Sequence, residues 1–231
     1  MMIDLHSVLN KYGIKSKGVI QVGAHWAEEH DEFVKLGVQK FVYIEPSKSS
    51  YDFLVKKLIP FGEPDVDGYY GLKLMNDENT CLESIQCFRV ACGASSKEIP
   101  MYVSHQNQGQ SNSILKPNLH IEQHPEIIFD DAEIVQMRKL DELDFEKSDF
   151  NLLVMDCQGY EGEVLKGAEE TLKHIKVIYT EVNRGQTYEG NMEIDEMDTY
   201  LGERGFIRVE THWPSPNWTW GDAVFIRKEL L

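Results

Sequence analysis

The stretch Val19-Ile20-Gln21-Val22-Gly23-Ala24-His25-Trp26-Ala27, followed by Phe41-Val42-Tyr43-Ile44-Glu45-Pro46, decides the fold of this chain. A buried strand delivers Gly23 into a tight turn, a helix opens near Ala27, and the next strand ends in a carboxylate. That spacing is one βαβ unit, and it reads as half of a nucleotide-cofactor site. Without a Cβ, Gly23 lets backbone come close to a ligand, while Ala24 and Ala27 are small enough to keep the turn tight. Glu45 is then placed to accept hydrogen bonds from ribose hydroxyls. The three-glycine dinucleotide fingerprint is absent, so this segment alone leaves a plain strand-turn-helix open.

Outward from this unit, apolar strand-like runs alternate with helical patterns, which predicts a parallel sheet with helices on both faces. The pattern gives a short amphipathic helix at 3–12, strands at 18–23 and 41–45, and helices at 27–36 and 47–59, the second with Ser47 as N-cap. Residues 60–85 are rich in Gly, Pro, Asp and Asn and read as an irregular connection with room for one helix. A third strand is expected at 86–91, ending in Ala-Cys-Gly-Ala. Strands at 99–104 and 132–138 flank a polar segment, 104–113, that has no apolar periodicity and reads as a functional loop or lid; residues 104–131 count as an irregular insertion. The apolar run 151–156 is a fourth main strand, followed by a helix at 162–174, a strand at 177–182 and a helix at 193–204. Strands at 206–211 and 223–227 are joined by an aromatic connection without a helix, so they pair as an antiparallel hairpin at the sheet edge.

With 231 residues and 42% hydrophobic content, the chain is long enough to bury the core of one large α/β domain. Its net charge of -16 argues against nucleic acid or an anionic membrane as partner. Cys81, Cys87, Cys92 and Cys157 form no C-x-x-C pair, which argues against zinc and disulfide frameworks. Asp4 sits where a signal peptide needs an apolar core, and no run approaches the roughly eighteen apolar residues of a membrane span. A cytoplasmic protein is expected.

Seven strands with a terminal hairpin differ from the all-helix-separated strands of a dinucleotide dehydrogenase. From residue 19 to residue 227 the chain resembles the FkbM family of S-adenosylmethionine-dependent methyltransferases. The motifs that carry the resemblance are Val-Gly-Ala-His-Trp-Ala at 22–27, Ile-Glu-Pro at 44–46, Ala-Cys-Gly-Ala at 91–94 and Gln-Ser-Asn-Ser-Ile-Leu at 110–115. They continue with Met-Asp-Cys-Gln-Gly-Tyr-Glu at 155–161, Leu-Lys-Gly-Ala at 165–168 and Tyr-Thr-Glu-Val-Asn at 179–183. Two positions depart from it: Ala27 stands where the family commonly has Gly, and His25 where it often has Asn. The resemblance implies one class I methyltransferase domain over residues 1–231, a Rossmann-like, doubly wound α/β fold. It implies a seven-stranded, mostly parallel sheet with an antiparallel C-terminal hairpin strand, and S-adenosylmethionine as cofactor. The implied reaction is O-methylation of a hydroxyl on a small sugar-like or natural-product acceptor.

On that reading the cofactor-binding candidates are Gly23, Ala24, His25, Glu45, Pro46, Ser47, Ala91, Cys92, Asp156 and Gln158. Methyl transfer is an in-line displacement that needs a firmly held cofactor, an aligned acceptor and, for some acceptors, a proton acceptor. Asp156, at the end of the fourth strand, is the strongest single candidate for the cofactor's ammonium or the reacting centre. Glu181 is the candidate general base or acceptor-orienting carboxylate, and Glu161 reads as an organiser of the turn. Candidate acceptor contacts are Ser111, Asn112, Ser113, Asn183, His212 and Trp220. No metal is expected, because Asp130 and Asp131 read as loop carboxylates and Asp156 with Glu181 lacks a third oxygen ligand. Two further readings stay open on residues alone: an NAD-linked oxidoreductase, which the missing glycines and the hairpin oppose, and a catalytically silent module, which would be marked by loss of Asp156.

Overall fold

Every residue of Gly18–Val22 is buried, the mark of a strand covered on both faces. Its side chains divide between two layers. Ile20 and Val22 join Leu153, Met155 and Ile178 in one core, and Val19 joins Phe41, Tyr43, Val154 and Tyr179 in the other.

The computed structural model describes residues 1–59, 70–75 and 81–231. In chain order its main elements are α1 (Leu5–Lys11), β1 (Gly18–Val22), α2 (His30–Lys35), β2 (Lys40–Ile44), α3 (Lys48–Leu58), β3 (Tyr70–Met75), β4 (Cys81–Phe88), β5 (Ala91–Cys92) and β6 (Lys97–Val103). They continue with α4 (Leu119–Gln123), β7 (Asp131–Arg138), β8 (Leu152–Met155), α5 (Glu161–Lys166), β9 (Val177–Asn183), α6 (Ile194–Glu203), β10 (Phe206–His212) and β11 (Trp220–Arg227). The main sheet runs β10-β11-β9-β8-β1-β2-β4-β3. Its centre is parallel, and β11 pairs antiparallel with both β9 and β10. A small second sheet, β5-β7-β6, stands beside it.

The first core is closed by α5 and α6 through Val164, Leu165, Met197 and Leu201. The second is closed by α1, α2 and α3 through Val8, Leu9, Phe33 and Leu54. Helices therefore cover both faces, as the alternation of elements requires. Among the described residues no helix is long and apolar enough to cross a membrane.

The structure corrects several expected boundaries. The seven expected strands are joined by an eighth, β3, which pairs antiparallel with β4 inside the stretch expected to be irregular. Its Leu72 and Leu74, alternating with Gly71 and Lys73, carry a strand period that the neighbouring Gly, Pro and Asp obscure. The remainder of that connection, 60–69 and 76–80, lies outside the described residues. The strand expected at 86–91 ends at Phe88, and Ala91–Cys92 instead pairs with β7. The helix expected from 27 begins only at His30, because Ala24 to Ala27 form a closed turn in which Ala27 N donates to Ala24 O at 2.7 Å. Ser47 occupies the N-cap position of α3 without a side-chain cap bond. The irregular insertion at 104–131 contains α4.

The helix expected over 162–174 stops at Lys166. Just past that end, a Cβ at Gly167 would lie 2.1 Å from the carbonyl oxygen of Gly93, so the chain passes Gly93 with no room for a side chain. Gly167→Ala is expected to destabilise the protein by about 2–3 kcal/mol, read as a lower urea midpoint with an unchanged slope.

Candidate active site

The carboxyl ends of β1, β2, β8 and β9 open onto a cavity of about 630 Å³, in the range of small-molecule sites and at the position where α/β sheets bind ligands. The turn after β1 forms its floor. Gly23 has φ +76°, and a Cβ there would lie 1.8 Å from the Asp156 carbonyl oxygen, so glycine is required both by backbone conformation and by space. The amides of Gly23 and Ala24 both donate to Ile44 O at 3.0 Å. Glu45 extends this tie: its Oε2 accepts from the His25 amide and its Oε1 from the Ser47 amide, each at 2.9 Å. Burial pushes the Glu45 pKa up to about 7, against the pull of those two bonds. Each oxygen keeps a further lone pair for a hydroxyl donor.

His25 and Ala27 both have positive φ, 45° and 52°. The left-handed region favours Gly and Asn, so both residues hold this turn at a cost. The strained turn is held from outside. Lys57 Nζ donates to the Ala27 carbonyl at 2.8 Å, and Trp26 stacks between His25 and Phe53. His25 Nδ1 lies 2.7 Å from Glu28 Oε1 and Nε2 lies 2.9 Å from the Gln108 carbonyl. Burial lowers the His25 pKa, but these two bonds and the charges of Glu28 and Glu45 outweigh it and leave it raised. His25 thus ties the cofactor turn to the polar 104–113 loop.

Beside that turn, Asp156 follows β8 and Glu181 lies on β9, with Gln158 between them. Gln158 Nε2 donates to Asp156 Oδ1 at 2.6 Å and to Glu181 Oε2 at 3.2 Å, while its Oε1 accepts from the Tyr188 hydroxyl at 2.8 Å. Gln158 itself sits at φ +52°. Ser113 Oγ donates to its carbonyl at 2.7 Å, and Glu161 Oε1 accepts from the amides of Cys157 and Gly159, so Glu161 organises the turn. The confinement of the cleft, then the charge of Asp222, pushes the Asp156 pKa up to about 6. Burial, then Asp156, Glu161 and Asp222, holds Glu181 well above the ordinary carboxylate range.

Of the residues singled out in the sequence, the cavity wall includes Gly23, Ala24, His25, Glu45, Pro46, Ala91, Cys92, Asp156, Gln158 and Glu181, together with Ser111, Asn112 and Trp220. Four others lie off it. Ser47 contributes its amide to Glu45, Ser113 is buried beneath Gln158, and Asn183 is buried with Nδ2 toward Glu181 at 3.4 Å. His212 is exposed on the outer strand β10, which puts it out of reach of the cavity. The sequence reading missed Asp222, Tyr188, Asn107 and His120, all of which line it. Asp222 becomes visible only through strand register, because β11 places it opposite Glu181. His120 is 5% exposed, its Nε2 lies 3.2 Å from Ser111 Oγ, and Asn107 donates to the same oxygen at 2.7 Å. Burial, reinforced by His124, pushes the His120 pKa down to about 4; nothing in its local sequence signals this. Among the described residues no group of three or more His, Cys, Asp or Glu is arranged to hold a metal ion.

Comparison with known proteins bears on what this geometry serves. The family model of the methyltransferase FkbM domain matches residues 21–208. The 2-O-methyltransferase NoeI of Sinorhizobium fredii (strain NBRC 101917 / NGR234) is 30% identical over 120 residues, which are 49% of this chain and 49% of that protein. The chain thus matches about half the length of this curated relative. Among solved structures, Trm1 from Pyrococcus horikoshii in complex with S-adenosyl-L-methionine superposes with TM-score 0.51 at 10% identity, covering 97% of this chain and 53% of that one. A protein of the NADB-Rossmann superfamily from Streptococcus agalactiae gives TM-score 0.50 at 11% identity, covering 98% and 69%. At these identities the two structures show a shared fold.

The raised carboxylates make stability depend on pH. Glu45 and Glu161 hold protons in the folded chain up to about 7, against an ordinary value of 4.5. Their stabilising contribution is therefore complete below about pH 4.5 and lost as pH rises through 7. His25, with a raised pKa, acts in the same sense, while the opposing effect of His120 is largely spent above pH 6.5. The melting temperature of the ligand-free protein is expected to fall between pH 6.5 and 8, and to fall less in Glu45→Gln; a rise over that window in the wild type would contradict it.

Proposed function

The chain belongs to the family of FkbM methyltransferase domains, S-adenosylmethionine-dependent enzymes, and we propose that it methylates a hydroxyl of a small, sugar-like acceptor. The observation that carries this reading is the division of one cavity along the sheet edge. In strand order along that edge lie the Glu45 carboxylate after β2, the Gly23 turn after β1, Asp156 and Gln158 after β8, and Glu181 on β9. The match to a 2-O-methyltransferase supports oxygen as the methylated atom.

The residues fit the cofactor. The Gly23 cradle leaves backbone bare at the cavity floor, Glu45 is the carboxylate for ribose hydroxyls, and Ala91 and Cys92 form an apolar wall suited to a base. Asp156 is the carboxylate for the ammonium. When bound, S-adenosylmethionine supplies an electrophilic methyl group on a positively charged sulfur. The side chains on the β8 and β9 side then have two tasks, to align the acceptor oxygen and to take its proton. Glu181 is placed for the second: it stands on the cavity wall, where its ionised form can accept a proton. Gln158 and Asn183 fix its orientation. With the cofactor bound, Glu181 would take the proton of the acceptor hydroxyl as that oxygen receives the methyl group.

Calorimetric titration with S-adenosylmethionine and S-adenosylhomocysteine tests this reading. Micromolar binding is expected, weakened about tenfold or more, roughly 1.4 kcal/mol, by Glu45→Ala and by Asp156→Asn. Once an acceptor is in hand, Glu181→Gln is expected to lower kcat by about 10²-fold or more with cofactor affinity changed by less than about threefold. Failure of the folded wild-type protein to bind either compound would overturn the proposal.

A further inference from the structure

Among the described residues, seven carboxylate side chains line the cavity and no lysine or arginine does. The imbalance is sharpest over β8, β9 and β11. Glu181 and Asp222 are directly opposed on paired antiparallel strands, an arrangement that like charges disfavour, and Asp156 ends the adjacent strand β8. Their hydrogen-bond donors are neutral: Gln158 Nε2 for Asp156 and Glu181, and the Tyr179 hydroxyl with the Met2 amide for Asp222.

A second, independent observation is a buried acceptor without a donor on the wall of the same cavity. Gln21, 3% exposed and on the cavity wall, gives its Nε2 to Glu29 Oε2 at 3.0 Å and leaves its Oε1 without a partner. Buried acceptors without donors cost stability. A fold retains them, beside unneutralised carboxylates, where a ligand supplies what is missing.

The cofactor meets only part of this demand, because its ammonium and sulfonium are set against its own carboxylate, a net single positive charge. We propose that this side of the cavity recognises an acceptor carrying a protonated amine and excludes acceptors carrying phosphate or carboxylate. An ammonium has three donors, no lone pair and a full positive charge, and so matches a site made of acceptors and negative charge. Trp220 and Tyr188, which line the same side, offer ring surface to the carbon skeleton and to the cation. An anionic acceptor would find no lysine or arginine on the described wall and would face a majority of carboxylates. The inference deepens the methyltransferase reading and rests on it.

The test uses the full chain saturated with S-adenosylhomocysteine, whose own binding is measured first. Methyl glucosaminide, its N-acetylated counterpart and methyl glucoside 6-phosphate are then titrated as probes of one skeleton in three charge states. The amine is expected to bind at least tenfold tighter than the N-acetylated sugar, with the phosphate weaker than both. Asp222→Asn, with its fold checked by thermal melting, is expected to reduce that preference at least threefold. Should this variant fail to fold, the wild-type preference is expected to shrink as salt is raised, a response that a neutral pocket would not show. Binding of S-adenosylhomocysteine without amine preference, or with no amine binding at all, overturns this inference alone. No binding of S-adenosylhomocysteine overturns the reading beneath it as well.

Discussion

The close approach of two strand ends is the constraint on which the site depends. Asp156 N donates to Val22 O at 3.0 Å, and at the next residue the Asp156 carbonyl occupies the space that any side chain at position 23 would need. The turn after β1 therefore lies flat against the end of β8. Because Gly23 and Ala24 also donate to Ile44 O, three strands are locked at their carboxyl ends by backbone alone. Side chains then need only decorate this frame. Glu45 reaches back from β2 to the His25 amide, and Asp156 and Glu181 extend from β8 and β9 into the space that remains.

That frame explains how the chain tolerates so many unneutralised acids in one cleft. A carboxylate without a cation costs free energy when buried, and the usual escape is to hold its proton longer, as Glu45, Glu161 and Glu181 do. Glu161 spends its charge on two backbone amides and shapes a turn. Asp156 and Glu181 share one amide group of Gln158, a partial settlement that a cationic ligand would complete. The two apolar cores, sealed on both faces of the sheet, carry the stability that the cleft forgoes.

How much of this was legible in the sequence follows from the range of the interactions. The first βαβ unit could be read because strand burial, the glycine and the terminal carboxylate lie within one local pattern. The hairpin of β10 and β11 could be read from the lack of a helix between two apolar runs. By contrast, β3 was obscured by a connection rich in turn-forming residues, and the close approach of Gly167 to Gly93 joins positions some seventy apart in the chain. Site residues divide in the same way. Glu45, Asp156 and Glu181 end or lie on recognisable strands and stand on the cavity wall. Asp222 requires the register of β11, and His120 requires the path of an aperiodic insertion. His212 drew notice through its chemistry, but nothing local could show that it faces solvent.

The polar loop shows why residue type alone misassigns roles. Ser113 looked like a group for a polar ligand, yet its hydroxyl donates to the carbonyl of Gln158 and is buried in doing so. Gln158 occupies a left-handed conformation that a residue with a long side chain adopts at a cost. Without the Ser113 bond the turn would be free to relax, and the side-chain amide that bridges Asp156 and Glu181 would turn with it. The same loop returns to the opposite wall through the Gln108 carbonyl and His25. One segment thus grips both halves of the cleft, the cofactor turn by an imidazole and the carboxylate pair by way of a glutamine. The distance between the two halves, which an in-line transfer requires to be held closely, is set by that loop as much as by the sheet.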